Sequence, residues 1–599
     1  MSKKVVRIGG ASGFWGDSTI SMPQLLTVPQ LDYIVFDYLA ETTMSILQRA
    51  RMKDPQLGYA TDFVSAVIKP YLQPCMNQGV TLIANAGGLN PEACAQAITL
   101  CALELGLEPR VAIVMGDDVS PLVDGLREQG VTDLQSGQSL PAKVLSANAY
   151  LGAQPIAKAL SEGAQIVVTG RCVDSALTLG ALAHEFGWHW HDWDRLAQGS
   201  LAGHMIECGA QATGGLFTDW QDVPDWANIG YPVLEVSEDG SFDLVKPDNT
   251  GGLVCVGCGA EQLVYEIGDP ARYELPDVVC DFRQVRIRQI DAGRVRIDGA
   301  LGRPPSQYYK VSVTWQDGYQ ITTHQLIRGI DSVAKAKKTA EALLARTRRQ
   351  LEASGFDDYS ENRVELLGCE SQYGENARVH DSRELVLRIG ARHPQAKALV
   401  FLQKESISAG TSMGPGTRSH FGGRADIQPV IRLFSFLIDK SKLRVQVRLA
   451  DQTLDIEKPL TVVQLEPPSV VVTAARQTYD TSDVEVPLVR IAWARSGDKG
   501  NDANIGVIAR HVALLPILRQ QLTRETVKDY FKHLVEGEVE RFDLPGINGM
   551  NFLMHQALGG GGTSSLRSDP LAKSFAQMLL DMPVKVPLLL LDQGCMKKH

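Results

Sequence analysis

The sequence predicts an α/β fold: a mostly parallel sheet flanked by helices in the N-terminal part, then an α+β layer, then a small separate C-terminal unit. Three observations predict it. Short runs rich in Val, Ile and Leu end in Gly, Asp or Asn. Stretches with helical periodicity, such as PEACAQAITLCALELG, fill most gaps between those runs. The pattern then changes near residue 306 and again near 485. Buried strands alternating with helices imply a parallel sheet covered on both faces, with ligands outside the carboxyl ends of its strands. A chain of 599 residues is too long for one hydrophobic core, so two or three domains are expected.

The elements follow in order. Six strand-like runs open the chain: VVRIGGAS, LDYIVFDYLA, VTLIANAGG, RVAIVMGDD, KVLSANAYL and QIVVTGRCVD. Residues from about 190 to 305 are rich in glycine and turn formers and predict loops that cap the sheet. From 306 to 465 the expectation is an α+β layer. In it YYKVSVTWQDGYQITTHQLI forms two strands around a turn at Asp317-Gly318, followed by a long helix and the strand VELLGCE. These parts make one N-terminal domain over 1–465. Residues 466–484 predict a linker, and 485–599 a C-terminal domain whose Val586–Leu591 run is a final buried strand.

The apolar fraction of 44% and charged fraction of 21% are those of an ordinary globular protein. A net charge of −10 argues against nucleic-acid and anionic-membrane partners, which need a basic face. MSKKVVRIGG has no long apolar region and does not predict a signal peptide. No apolar run approaches the roughly 20 residues a membrane-spanning helix needs. Ten dilute cysteines predict reduced thiols in a cytoplasmic protein. Cys255 and Cys258 form a C-x-x-C, but in an apolar, strand-like stretch with no second pair. They read as core cysteines, with zinc or redox chemistry as the alternative.

Five stretches could carry chemistry. The loop from Gly9 to Asp17, with Gly10, Ser12, Gly13, Trp15 and Asp17, could form a backbone nest for a phosphate or carboxylate, or a tight turn. It lacks the dinucleotide and P-loop spacings. Asn85, Gly87 and Gly88 precede Asn90-Pro91, an N-cap signature at a helix start that suits an anion, or plain capping. Asp37, Glu41, Asp117, Asp118, Asn148, Arg171 and Asp174 stand at strand ends, where a parallel sheet would gather them at one edge for acid/base work. His204, Glu207 and Cys208 share one face if helical, and could activate a thiolate or exchange protons. Lys499, and Arg567 after the glycine run 559–562, would suit an anion, with turn structure as the alternative. No metal-ligand set with specific spacing is present.

Taken together, RIGGASGFWGD, LDYIVFDYLAETTMSIL, ANAGGLNPEACA, TGRCVDSALTLG, GHMIECGAQATGG, EQLVYEIGDP and FGGRADIQPVIRLFSFLI resemble the acyclic terpene utilisation A family. SGDKGNDANIGVIAR and LGGGGTSSLR resemble the C-terminal domain of that family, which implies a ferredoxin-like fold there. The stretch GLVCVGCGA departs from the Thr/Val-rich form expected at that place. The resemblance implies a role in citronellol and geraniol catabolism, beside enzymes that activate terpenoid acids as CoA thioesters, carboxylate, hydrate and cleave them. It brings no established catalytic residues.

Two function classes follow. The first is an enzyme acting on a branched acyl-CoA or terpenoid acid, of lyase or hydratase type. Asp174, His204, Glu207 and Cys208 are its catalytic candidates, and the CoA moiety enters as part of the substrate. The second is a non-catalytic protein that binds the terpenoid or acyl-CoA, or holds pathway enzymes together. A homo-oligomer is expected on general grounds.

Overall fold

The computed structural model describes residues 5–418, 423–457, 483–588, 590 and 597. Its centre is an eleven-stranded sheet. The first six strands of the chain are β1 (Val5–Ser12), β2 (Tyr33–Phe36), β3 (Thr81–Ala84), β4 (Val111–Met115), β5 (Ser146–Ala149) and β6 (Ile166–Thr169). Five of them, in the order β1-β2-β3-β6-β4, pair in parallel. β2, β3 and β6 read Tyr-Ile-Val-Phe, Thr-Leu-Ile-Ala and Ile-Val-Val-Thr, and all but Thr81 are buried, as in strands covered on both faces. Antiparallel strands extend both edges. Val233–Ser237 and Phe242–Val245 lie beyond β1, and Gln446–Leu449 returns to pair with β4. Among the described residues no helix is long and apolar enough to cross a membrane.

Three local expectations change. The fifth run does not join the parallel sheet. β5 pairs antiparallel with the long strand Tyr308–Arg328, Ala149 opposite Val311 and Ser146 opposite Thr314. Four small residues buried on both faces suit either neighbour, so the local pattern does not specify the partner. Second, Tyr308–Arg328 is one continuous 21-residue strand, not two strands around a turn. Its pairing with Ile427–Asp439 steps from Gln316 opposite Ile431 to Tyr319 opposite Pro429, one residue out of register. Gly318 sits there at φ +70°, so Asp317-Gly318 makes a β-bulge.

Third, residues 190–305 are not mainly loops. They include the helices Trp193–Ile206 and Val256–Leu263 and several strands. The glycines in the first helix mark close packing. A Cβ on Gly203 would lie 2.6 Å from the Ser175 backbone, and one on Gly199 would lie 2.8 Å from Leu179 and Trp188.

The C-terminal unit has its own core and an antiparallel sheet in the order Ala492–Lys499, Asp502–Ala509, Gly549–Met554, Val539–Leu544. The strand Asp483–Pro487 pairs with Pro583–Pro587, so the expected final strand begins earlier and ends at 587. Residues 466–482 of the expected linker lie outside the described residues. The unit is pressed into the N-terminal part through buried polar contacts. Arg495 reaches Glu261 at 2.9 Å, Gln211 at 2.9 Å and the Gly215 carbonyl at 3.1 Å. Arg510 pairs with Asp219 at 2.5 Å, and the Lys597 ammonium joins it at 2.9 Å.

Candidate functional site

The carboxyl ends of β2, β3 and β6 meet at one sheet edge. Asp37 follows β2 and is buried. Asn85 follows β3. It donates to Asp37 Oδ1 at 2.5 Å and accepts the Tyr38 N–H at 2.7 Å, so both ends of its amide hold Asp37 in place. Beyond β6, Arg171 donates to Asp174 Oδ1 at 2.7 Å. The Arg171 guanidinium also lies 4.3 Å from the centre of the Tyr150 ring, whose hydroxyl donates to Glu41.

The end of the helix Trp193–Ile206 brings the second group. His204 is buried, and its Nε2 meets the Leu263 carbonyl at 3.2 Å. A carbonyl only accepts, so Nε2 carries a hydrogen. His204 Nδ1 lies 2.9 Å from Glu207 Oε1, and a single proton can sit on either partner of that contact. Glu207 is 12% exposed against 1% for His204. Glu207 is therefore the more accessible of the two, with His204 packed behind it. Cys208 follows, and burial pushes its thiol well up, with Glu207 adding to the effect. A neutral thiol among carboxylates is a weak nucleophile.

Cations and phenols from distant parts of the chain close the space. Lys310, on the long strand, lies 5.3 Å from the Tyr150 ring centre. Lys310 is exposed to solvent, and desolvation by its neighbours draws its pKa down although Glu41 opposes the shift. The C-terminal unit supplies Lys499, 5.5 Å from the Tyr273 ring centre, and Lys573, which contacts Tyr265 and Glu266. Burial raises the carboxyl groups of Asp37, Asp174 and Glu207, with neighbouring carboxylates adding to each rise. Asp498 is pushed up to about 7 by burial and by Glu266. Burial also acts on Glu41, but Lys310 and Arg171 outweigh it and hold that group down at about 2. His204 is raised because Glu207 outweighs burial. Among the described residues no group of three His, Cys, Asp or Glu is placed to hold a metal ion.

The remaining expected site residues support this recess from outside. Asp117 Oδ2 accepts from the Arg171 N–H at 2.9 Å and from Asn148 at 2.8 Å, tying the ends of β4, β5 and β6 together. In the first loop the Asp17 carboxylate itself takes the Gly13 N–H at 2.9 Å, the Ser18 N–H at 2.6 Å and the Tyr231 hydroxyl at 2.9 Å. The nest is filled by the protein's own anion. Trp15 donates to Asp62, and Ser12 to the Asp37 carbonyl at 3.1 Å. Gly10 and Gly13 let this loop touch the backbone of Ile206 and Cys208. Gly87 allows contact with the Thr169 carbonyl, and Gly88 takes φ +53° before the capped helix at Asn90. Arg567 is buried and bound to the Leu534 and Ala557 carbonyls, bracing its own domain. Cys255 and Cys258 lie at a helix start rather than in a strand.

Lys310, Tyr150, Tyr273, Glu266, Asp498 and Lys573 join the site without having been anticipated. Glu266 and Asp498 lie inside quoted motifs (EQLVYEIGDP and SGDKG), so a signal existed for them. Lys310 sits in an alternating strand and gives none.

The family model for the acyclic terpene utilisation family protein AtuA matches residues 6–449, and that for the AtuA ferredoxin-like domain matches residues 486–585. No curated protein and no solved structure matches the chain. The chain belongs to the acyclic terpene utilisation family, with the ferredoxin-like domain at its C-terminal end.

Proposed function

We propose that this family member is an enzyme acting on a branched acyl-CoA or terpenoid acid intermediate of citronellol and geraniol breakdown, by a lyase or hydratase reaction. The observation that carries the reading is the Glu207–His204 unit. It holds one exchangeable proton at 2.9 Å, and Lys499 and Asp174 lie close enough to act on the pair electrostatically. In a hydration, a carboxylate takes a proton from water as the C–O bond forms at the β carbon. The alkene electron pair moves onto the thioester or acid carbonyl, and an acid returns a proton to the α carbon. A cleavage runs the same groups on a β-hydroxyl: the base takes its proton, the Cα–Cβ bond breaks, and the electron pair again rests on the carbonyl oxygen. Glu207 and Asp174 are the proton-transfer groups. Lys310 and Lys499 face the developing negative charge.

The test incubates the pure full-length protein with each pathway intermediate, free acids on one side and CoA thioesters on the other, and follows the mixtures by mass spectrometry. Conversion of one intermediate, lost in Glu207→Gln, supports the reading. Retention of a compound with no conversion of any supports the non-catalytic binding role instead.

A further inference from the structure

Cys255 and Cys258 have no part in the recess. Cys255 is the N-cap of the helix Val256–Leu263, and its sulfur accepts the Cys258 N–H at 3.4 Å. The two sulfurs also lie 3.4 Å apart, the only thiol pair in contact among the described residues. Cys255 is partly exposed, whereas Cys258 is fully buried. Phe217 and Val223 of the N-terminal part and Trp493 of the C-terminal unit close over them. One reachable sulfur, one buried sulfur behind it, and a helix start beneath them form a dithiol arranged for exchange.

We propose that Cys255 and Cys258 form a reversible redox pair whose reaction partner is a low-molecular-weight disulfide. The Cys255 thiolate attacks one sulfur of that disulfide, forming a mixed disulfide and releasing one small thiolate. Cys258 then loses its proton and attacks the Cys255 sulfur, releasing the second small thiol and forming the Cys255–Cys258 bond. Two protein thiols and one small disulfide become one protein disulfide and two small thiols, so the two electrons end on the small molecule. The Cys258 contact and the Gly257 and Cys258 N–H groups hold the Cys255 thiol below its ordinary range, while that contact and burial push Cys258 up. The same helix carries Glu261, which pairs with Arg495, and Gln262 and Leu263, which hold His204. The pair therefore sits on the helix that joins the domain junction to the candidate site.

The test equilibrates the folded full-length protein with glutathione buffers from fully reduced to fully oxidised, then alkylates it and maps the peptides by mass. The expected result is a peptide lighter by two hydrogens that carries Cys255 and Cys258, restored by reductant, with Cys255 alkylated about tenfold faster than Cys258 when reduced. Cys258→Ser should trap glutathione on Cys255. Fluorescence should fall on oxidation of the parent and not of Trp493→Phe. Equal alkylation of both cysteines at every buffer ratio, or a bond that forms only after unfolding in urea, would overturn the proposal.

Discussion

The domain junction and the recess both bury charge, and they do so in opposite ways. At the junction every buried charge meets an opposite one. Glu261, fully buried, faces Arg495, and Asp219 is shared by Arg510, Lys597 and Trp493. In the candidate site Asp37, Asp174 and Glu207 rise together although Arg171 pairs with Asp174, and only Glu41, next to Lys310 and Arg171, is held down. Paired charge holds two domains in register, and imperfectly paired charge remains available to a ligand. The difference separates a structural polar cluster from the candidate site.

That contrast can be broken at its strongest point. Glu207→Gln keeps the shape of the site and removes the shared proton. Steady-state kinetics should show kcat about 10²–10⁴ lower, with an unchanged melting curve. Glu261→Ala should do the reverse. It leaves Arg495 buried without its partner and should cost about 3–5 kcal/mol in denaturant unfolding, with loss of activity only where the fold is lost.

Two smaller effects sharpen the contrast through pH. Arg510 and Lys597 offset burial and hold the Asp219 carboxyl down at about 2, against an unfolded value near 3.8. The native state therefore binds fewer protons. The resulting stability, about 2 kcal/mol, is present above roughly pH 4 and lost as pH falls through about 2. Asp219→Asn should flatten acid unfolding in that window. Asp117 runs the other way. Burial raises it to about 6, so the native state holds a proton that the unfolded chain has released. Stability should decline between about pH 4 and 6, and Asp117→Asn should remove that slope in thermal melts taken across the window.

The parallel core was legible because each run from β1 to β4, and β6, is apolar, short and stopped by a polar or glycine residue. The same stops placed Asp37, Asn85, Arg171 and Asp174 at one edge. β5 was not legible, because Ser-Ala-Asn-Ala carries no preference between neighbours. The first loop looked like an anion nest because backbone spacing alone does not reveal that Asp17 fills it. His204 and Glu207 were legible as a pair, but their division of labour depends on which one faces the recess. Their relative exposure follows from packing against parts far off in the chain, such as the Leu263 carbonyl that His204 meets. Lys310 was invisible for the same reason: its meaning comes from Tyr150 and Glu41, which the fold brings beside the long strand.

The recess draws on Asp37 near one end of the chain and Lys573 near the other. Contacts of such sequence separation pay their loop-closure entropy late in folding. A nascent chain still short of its last strands can form the parallel sheet, but its acidic edge stays open to water. The cluster is assembled only once Lys499 and Lys573 have joined it. The ferredoxin-like domain thus contributes the last side chains of a cluster that the parallel sheet begins.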